Sequence, residues 1–321
     1  MRYYLAMDGG GTKLQGILFD EEGNIHGTGL SGGINGNVHA PEAVQEHFRD
    51  CMRQLFSAPD APKEIEAIYL SQGMIRGHDV ASEFVHYKQA IGAGEGVIGL
   101  LACGLTDGIC ALAGTGSDIF YVQNAKEKRV YGGWGYMMSD DGSGVWVGAQ
   151  AAKSYILTRT QIKERSLLHQ MIEDEHPELL EKRGGMIEAV YRSKSPAYYL
   201  GTLCPIVNRA AKAGDETAIE ILRRGGELLA QEACALIASL DVPEDLSLGT
   251  TGSVFRYCKP LYEAYAEHMK QAYPKMVLHK PRFEPVVGAM IYGLLQAGHT
   301  LDEDMMRRLD ETCGAYRIKE E

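Results

Sequence analysis

Residues 8–13 read DGGGTK and follow directly on the apolar run YYLAM at 3–7. Alternation in that run, with Tyr4 and Ala6 on one side, predicts a short buried strand. Three consecutive glycines cannot extend it, because they admit positive φ and bring backbone N–H groups close to a ligand. A strand-end carboxylate, a bare backbone and the Thr12 hydroxyl together make the local chemistry of a phosphate loop. A plain glycine turn uses the same residues, so the rest of the chain must decide.

The chain has 321 residues, a length that corresponds to about two domains. It is 45% hydrophobic and 23% charged, the composition of an ordinary globular protein with ample core. With 32 basic against 43 acidic residues the net charge is −11, which argues against nucleic-acid or anionic-membrane partners. A phosphate ligand stays compatible with this balance, since backbone N–H groups supply a positive field locally. Seven cysteines form no C-x-x-C pair and ten histidines show no ligand spacing, so neither a disulfide framework nor structural zinc is expected. The first residues lead straight into a strand, and no apolar run approaches membrane-span length; a cytoplasmic location is expected.

LQGILFDEEGNIHGTGLS reads as two strands joined at DEEGN, and PEAVQEHFRDCMRQLF as a helix with Val44, Phe48, Cys51, Met52 and Leu55 on one face. Strands at EAIYLS, FVHYKQAI and GICALAG and a helix at EGVIGLLACGL complete an α/β pattern with a mixed sheet. The second half restarts with GTGSDIFYVQN and KRVYGG, continues through helices over roughly 142–240, and ends in LSLGTTGSV, KPLYEAYAEHMKQAY, KMVLHK, PVVGAMIYGLLQAG and a helix over 301–313. A strand-ending glycine loop thus opens each half, which suggests two similar lobes facing a cleft.

Besides DGGGTK there are three further glycine-rich junctions: AGTGSD (113–118), TTGSVF (250–255) and GGWGYMMSDDGSG (132–144). None is a Walker A loop, which needs G-x-x-x-x-G-K-[ST] opening a helix. Jointly they favour nucleotide phosphate binding, with Asp8 suited to a Mg²⁺ ion or its waters. Two G-x-G-x-x-G matches also occur. GTGLSG (27–32) is followed by GINGN, which will not start a helix; GEGVIG (94–99) opens a helix and leaves dinucleotide binding as the second reading.

In order and content these loops resemble the sugar kinase and actin superfamily, and more closely the N-acetylglucosamine kinases of the BadF/BadG/BcrA/BcrD ATPase family. GGWGYMMSDDGSGVW is the most specific match to that family's G-G-W-G-x-x-x-G-D-E-G-S stretch, with Ser139 in place of a glycine and Asp141 in place of the glutamate. The resemblance runs from residue 8 to the helix PVVGAMIYGL. It implies an α/β fold of two RNase H-like lobes of actin/sugar-kinase type, with mixed sheets around an ATP cleft. The implied N-terminal lobe is 1–113 plus about 298–321, and the C-terminal lobe 114–297. It also implies phosphorylation of an amino sugar, foremost N-acetylglucosamine at its 6-hydroxyl, with ATP and Mg²⁺, and a homodimer. The implied nucleotide contacts are Gly9, Gly10, Gly11, Thr12, Lys13, Gly114, Thr115, Gly116, Gly252 and Ser253, with Asp8 on the metal. The implied sugar contacts are Asn35, Gly133, Trp134, Gly135 and Asp140.

One departure bears on the chemistry. Where these kinases carry N-D-A with a catalytic aspartate, this chain has GEG, so Glu95 is the candidate base, one methylene longer. That arm serves only where Gly94 and Gly96 let the backbone withdraw; a solvated residue at a helix N-terminus is the other reading. Asp107 in LTDG is expected to serve a turn. Two further classes stay open: a reductase-activating ATPase holding an iron–sulfur cluster between subunits, invited by Cys110 in CALAGTG, and a non-catalytic sugar or nucleotide sensor.

Overall fold

The computed structural model describes residues 1–36, 39–71, 79–181, 185–193 and 195–319. Strand β1 (Tyr3–Gly9) runs into the first glycine loop and returns as β2 (Lys13–Asp20), antiparallel, with Leu5 opposite Leu18. β3 (Ile25–Gly32) continues the meander. Helix α1 (Pro41–Leu55) then crosses to β4 (Glu64–Ser71), parallel to β1, and β5 (His86–Ala93) adds in parallel at the edge. The sheet order is β3-β2-β1-β4-β5. The polarity of HYKQ follows from this edge position, where one side of the strand meets solvent.

After α2 (Glu95–Ala102) the same design repeats. β6 (Gly108–Ala113), β7 (Ser117–Val122) and β8 (Glu127–Gly132) form a second antiparallel meander; β9 (Leu248–Thr251) and the two-residue β10 (Leu278–His279) add in parallel beyond β6. Read from β8, the order is β8-β7-β6-β9-β10, equivalent strand for strand to the first sheet. The faint duplication of the glycine loops is therefore a duplication of topology. Because β6 belongs to the second sheet, that sheet starts at Gly108, ahead of the lobe boundary expected at 113/114.

Between β8 and β9 lie α3 (Gly144–Arg159), α4 (Leu167–Glu175), α5 (Glu178–Glu181), α6 (Gly185–Tyr191), α7 (Pro196–Lys212) and α8 (Glu216–Ala238). Helices α9 (Ser253–Tyr257) and α10 (Lys259–Ala272) precede β10, and α11 (Pro285–Gln296) and α12 (Glu303–Thr312) follow it.

The period of two in β1 explains its burial on both faces. Leu5 and Met7 pack with Phe48, Cys51, Met52 and Leu55 of α1, while Tyr4 and Ala6 face a core with Met290, Ile291 and Leu294 of α11. That second core also takes Cys110, Phe120 and Val122 from the other sheet, so α2 and α11 sit in one hydrophobic cluster shared by both sheets. The other face of the second sheet packs on α3, α7, α8 and α10.

Helices α3 and α7 meet so closely that a Cβ at Gly148 would overlap the Leu200 carbonyl oxygen. Gly148→Ala therefore loses about 1–3 kcal/mol in urea unfolding through overpacking, despite alanine's better helix propensity. A variant as stable as the parent would contradict this packing.

Candidate active site

The two glycine loops face each other across the mouth of the cleft. In the first, Gly10 N–H donates to the Lys13 carbonyl (3.0 Å), and the Gly10 carbonyl accepts from Ile34 and Asn35 N–H (2.8 and 3.2 Å). This pins Asn35 beside the loop, and the His39 ring donates to the Gly11 carbonyl at 2.8 Å. In the second, Gly114 N–H donates to the Gly116 carbonyl (2.9 Å), and Gly144 at the start of α3 donates to the Gly114 carbonyl (2.8 Å). An ideal Cβ on Gly11 would stand 2.8 Å from Thr115 Oγ1, so the loops touch. Gly252, at φ +100°, closes against the Ala113 carbonyl and brings the third glycine junction to the same place.

Behind the loops opens a cavity of about 620 Å³, a usual size for a small-molecule site. Gly11, Thr12, Gly114, Thr115 and Ser253 line it. Gly9, Gly10, Gly116 and Gly252 shape the loops without lining it. Lys13 is drawn elsewhere: its Nζ pairs with Glu284 Oε2 at 2.7 Å, and the other oxygen of Glu284 accepts from Arg256 Nη1 at 2.5 Å. Glu284, immediately before α11, thereby ties β2 to α9.

Asp8 ends β1 beside this group, and its carboxyl is pushed up to about 6, chiefly by burial, with Lys13 opposing and Glu284 adding. Among the described residues no three acidic, histidine or cysteine side chains converge to hold a metal by themselves. The donor set nevertheless fits Mg²⁺, which is usually held by one or two carboxylates together with phosphates and water.

On the other side of the loops lies an acidic group. Glu95 is the first residue of α2, near enough to Asp8 of the first loop for its charge to be felt. The surrounding protein, with the charges of Asp8 and Glu127, raises its carboxyl to about 7. The α2 N-terminus is capped by Glu127, not Glu95: Glu127 Oε1 accepts from Gly96 N–H at 2.9 Å, and its carboxylate also takes the N–H of Val97. Both flanking glycines have a structural cause. A Cβ at Gly94 would overlap the Glu127 carboxylate, and one at Gly96 would overlap the Phe120 ring. The third glycine of GEGVIG, Gly99, is likewise filled, with Cys110 Sγ and Thr251 both at 2.8 Å from an ideal Cβ. Side chains occupy the ground a pyrophosphate would need, which removes support for the dinucleotide reading. Cys110 is fully buried, against Gly99, so it is in no position to share a cluster between subunits.

The 132–144 loop packs over Asp118 of β7. Gly133, at φ +68°, has no room for a Cβ because Asp118 Oδ1 occupies it. Asp140, at φ +61° and buried, accepts from Gly135 N–H at 3.2 Å, and Ser143 caps α3 through Trp146 N–H at 3.1 Å. Trp134 is 72% exposed, and Met137 and Met138 beside it are exposed too, so the structure presents Trp134 to solvent rather than enclosing it. Asp107 accepts from Asn124 N–H at 2.9 Å, the turn role expected of it.

Several contributors carried no motif. Tyr198, Gly201, Thr202, Pro205, Asn208 and Arg209 form the cavity wall along α7. Glu127, Glu284 and Asp118 act through neighbours remote in sequence, which no spacing announces.

The BadF/BadG/BcrA/BcrD ATPase family matches residues 5–293, and the chain belongs to it. It is 25% identical over 303 residues, 91% of this chain and 98% of the relative, to the N-acetylmuramic acid/N-acetylglucosamine kinase of Clostridium acetobutylicum. Among solved structures, a Chromobacterium violaceum protein assigned as an N-acetylglucosamine kinase superposes with a TM-score of 0.69 at 25% identity, over 92% of this chain and 99% of its own. A ROK family glucokinase from Streptomyces griseus, solved with glucose and AMPPNP, shares the fold at a TM-score of 0.60 and 14% identity, over 90% and 98%.

Asp118 carries a testable consequence. Burial first, then Glu95, Asp140, Glu232 and Glu127, raise its carboxyl from 3.8 to about 7. The folded chain therefore holds a proton that the unfolded chain releases, and stability falls as pH rises from about 4 to about 7. Asp118→Asn is expected to melt above the wild type near pH 8, with the difference closing toward pH 4. Equal melting temperatures near pH 8 would contradict the charge crowding.

Proposed function

We propose that this protein is an ATP-dependent amino-sugar kinase that phosphorylates N-acetylglucosamine at its 6-hydroxyl. The observation that carries the reading is the freedom of Glu95. Glu127 takes the first N–H groups of α2, so the Glu95 carboxylate is not spent on capping its own helix. A carboxyl poised near 7 suits a general base that works around neutral pH. Gly94 and Gly96 draw the backbone back, which offsets the extra methylene of a glutamate in place of the family's aspartate.

In this reading the lobe built on the first sheet and the lobe built on the second hold Mg·ATP between their glycine loops. Backbone N–H groups of both loops and the hydroxyls of Thr12 and Thr115 orient the triphosphate, and Asp8 holds the Mg²⁺. Bound there, the ion offsets the charge of the phosphates. Asn35, Asp140 and the 133–135 backbone hold the sugar, and Trp134 covers it when the lobes close and water is excluded. Glu95 accepts the proton of the 6-hydroxyl as that oxygen attacks the γ-phosphorus, and ADP leaves. The relationship to the Clostridium kinase supports an amino sugar as acceptor. A homodimer is the assembly that accompanies this reading, and light scattering would find it at twice the monomer mass.

The test is ADP release from Mg·ATP with N-acetylglucosamine, related amino sugars or no sugar. Release is expected only with an amino sugar, and Glu95→Gln should lower kcat by about 10²–10⁴-fold. Wild-type kcat/KM should fall as pH drops below about 7, because Glu95 is then protonated. Glu127→Gln keeps an acceptor for Gly96 N–H but removes a neighbouring negative charge, so its acid limb should move to lower pH. Sugar-independent release, or unchanged turnover in Glu95→Gln, would overturn the proposal.

A further inference from the structure

Two cysteines remote in sequence share the wall of the cavity behind the loops. Cys204 belongs to α7, and Cys258 stands at the junction of α9 and α10. Two contacts fix how these elements lie. An ideal Cβ on Gly144, at the start of α3, would find Val254 Cγ2 at 3.7 Å and Cys204 Cβ at 3.9 Å, so α7 and α9 meet beside the second loop. One turn beyond Val254, Cys258 N–H donates to the Val254 carbonyl at 2.9 Å. Across this seam the thiols of Cys204 and Cys258 hydrogen-bond to each other.

The two sulfurs are not equivalent. Cys258 immediately precedes α10, a helix of 14 residues, and Lys212 at the end of α7 adds positive charge to its surroundings. A helix N-terminus and a nearby lysine both favour the thiolate, which is the nucleophilic form of cysteine. The Cys204 S–H, donating to Cys258, and the Lys212 charge hold Cys258 below the usual thiol range against the opposing effect of burial. The same hydrogen bond, together with burial, pushes Cys204 up, so that it keeps its proton. In the other five cysteines burial raises the thiol, and none of the five lines this cavity. A thiolate that ligands can reach, beside a second, protonated thiol, is the arrangement of an oxidisable pair.

We propose that Cys258 and Cys204 form a modification site for hydroperoxides, and that joining them as a disulfide closes the cavity to nucleotide. Hydrogen peroxide, the smallest of that class, enters a space of about 620 Å³ without hindrance. The Cys258 thiolate attacks one peroxide oxygen and the O–O bond breaks. Hydroxide leaves and takes up the proton that Cys258 gave to solvent, and the sulfur is now a sulfenic acid. Cys204 then attacks that sulfur; its S–H proton joins the departing hydroxide, and a second water leaves as the S–S bond forms. Two thiols have lost two electrons, and one peroxide has become two waters. A disulfide holds its sulfurs closer than hydrogen-bonded thiols can come, so α7 is drawn onto the start of α10 and the cavity between them narrows. The effect on nucleotide rests on the kinase reading; the cross-link does not.

The experiment treats the reduced protein with hydrogen peroxide, alkylates the remaining thiols and maps the digest by mass spectrometry. The expected product is one pair of peptides joined between Cys204 and Cys258, released by dithiothreitol, with the other five cysteines alkylated. Calorimetry should find Mg·ADP bound about tenfold more weakly by the oxidised protein, and dithiothreitol should restore the affinity. Saturating Mg·ADP should slow the cross-link, because it occupies the route to the thiols. Cys204→Ser should stop at the Cys258 sulfenic acid, which dimedone traps; Cys258→Ser should give neither adduct nor cross-link. No cross-link between these two residues, or an oxidised protein that binds Mg·ADP as the reduced one does, overturns the proposal and leaves the kinase reading intact. Failure of the reduced protein to bind Mg·ADP overturns the nucleotide reading, and the closure with it, while the cross-link still decides the dithiol. The wild-type cross-link and its reversal are decisive even where a serine variant fails to fold.

Discussion

Helices α2 and α11 cross with no side chain between them: a Cβ at Gly288 would overlap the carbonyl oxygen of Ile98. Everything in the cleft depends on that approach. Each helix follows the edge strand of its own sheet, β5 or β10, so the crossing joins the two repeats at equivalent points. It also sets the start of α2 and the start of α11 within the same neighbourhood. Glu95 begins the first and Glu284 precedes the second, and both bear on the residues around DGGGTK. A larger residue at 288 would push the sheets apart and separate the loops before it altered any residue that faces a ligand.

Negative charge dominates this cleft in the empty protein. Asp8, Glu95, Asp118 and Asp140 all titrate above their ordinary values with burial as the leading cause, and the charge of Asp8 adds at Glu95 as that of Glu95 adds at Asp118. Lys13 relieves it only in part, at Asp8, because Glu284 pairs with both Lys13 and Arg256. Such a group is costly to a folded chain in isolation and is the usual mark of a site whose partner brings compensating charge.

The GEG segment is held by contacts from the second sheet. Replacing a short acid by a longer one demands that the main chain retreat. Here the retreat is filled by Glu127 from β8 and by Phe120 from β7, each in the place of an absent Cβ.

The elements that the sequence determined by itself are those with local cause. Alternation in β1, the helical stripe of α1, proline starts and glycine stops are written within a few residues of where they act, so strands, helices and the order of the loops were legible. The glycine loops and the acid–glycine pattern of 132–144 were legible for the same reason, as was Glu95 as the carboxylate nearest the family's base. Tertiary structure alone decided which of these residues meet. Lys13 and Glu284 lie 271 residues apart and Gly96 and Glu127 31 apart, and such pairings leave no period or spacing to read. The α7 wall was invisible because Tyr198, Gly201, Thr202, Pro205, Asn208 and Arg209 form no motif and meet only when the helix folds along the cavity. Trp134, dense in motif yet open to solvent, makes the converse point: local pattern names a residue, but only the packing around it says what it touches.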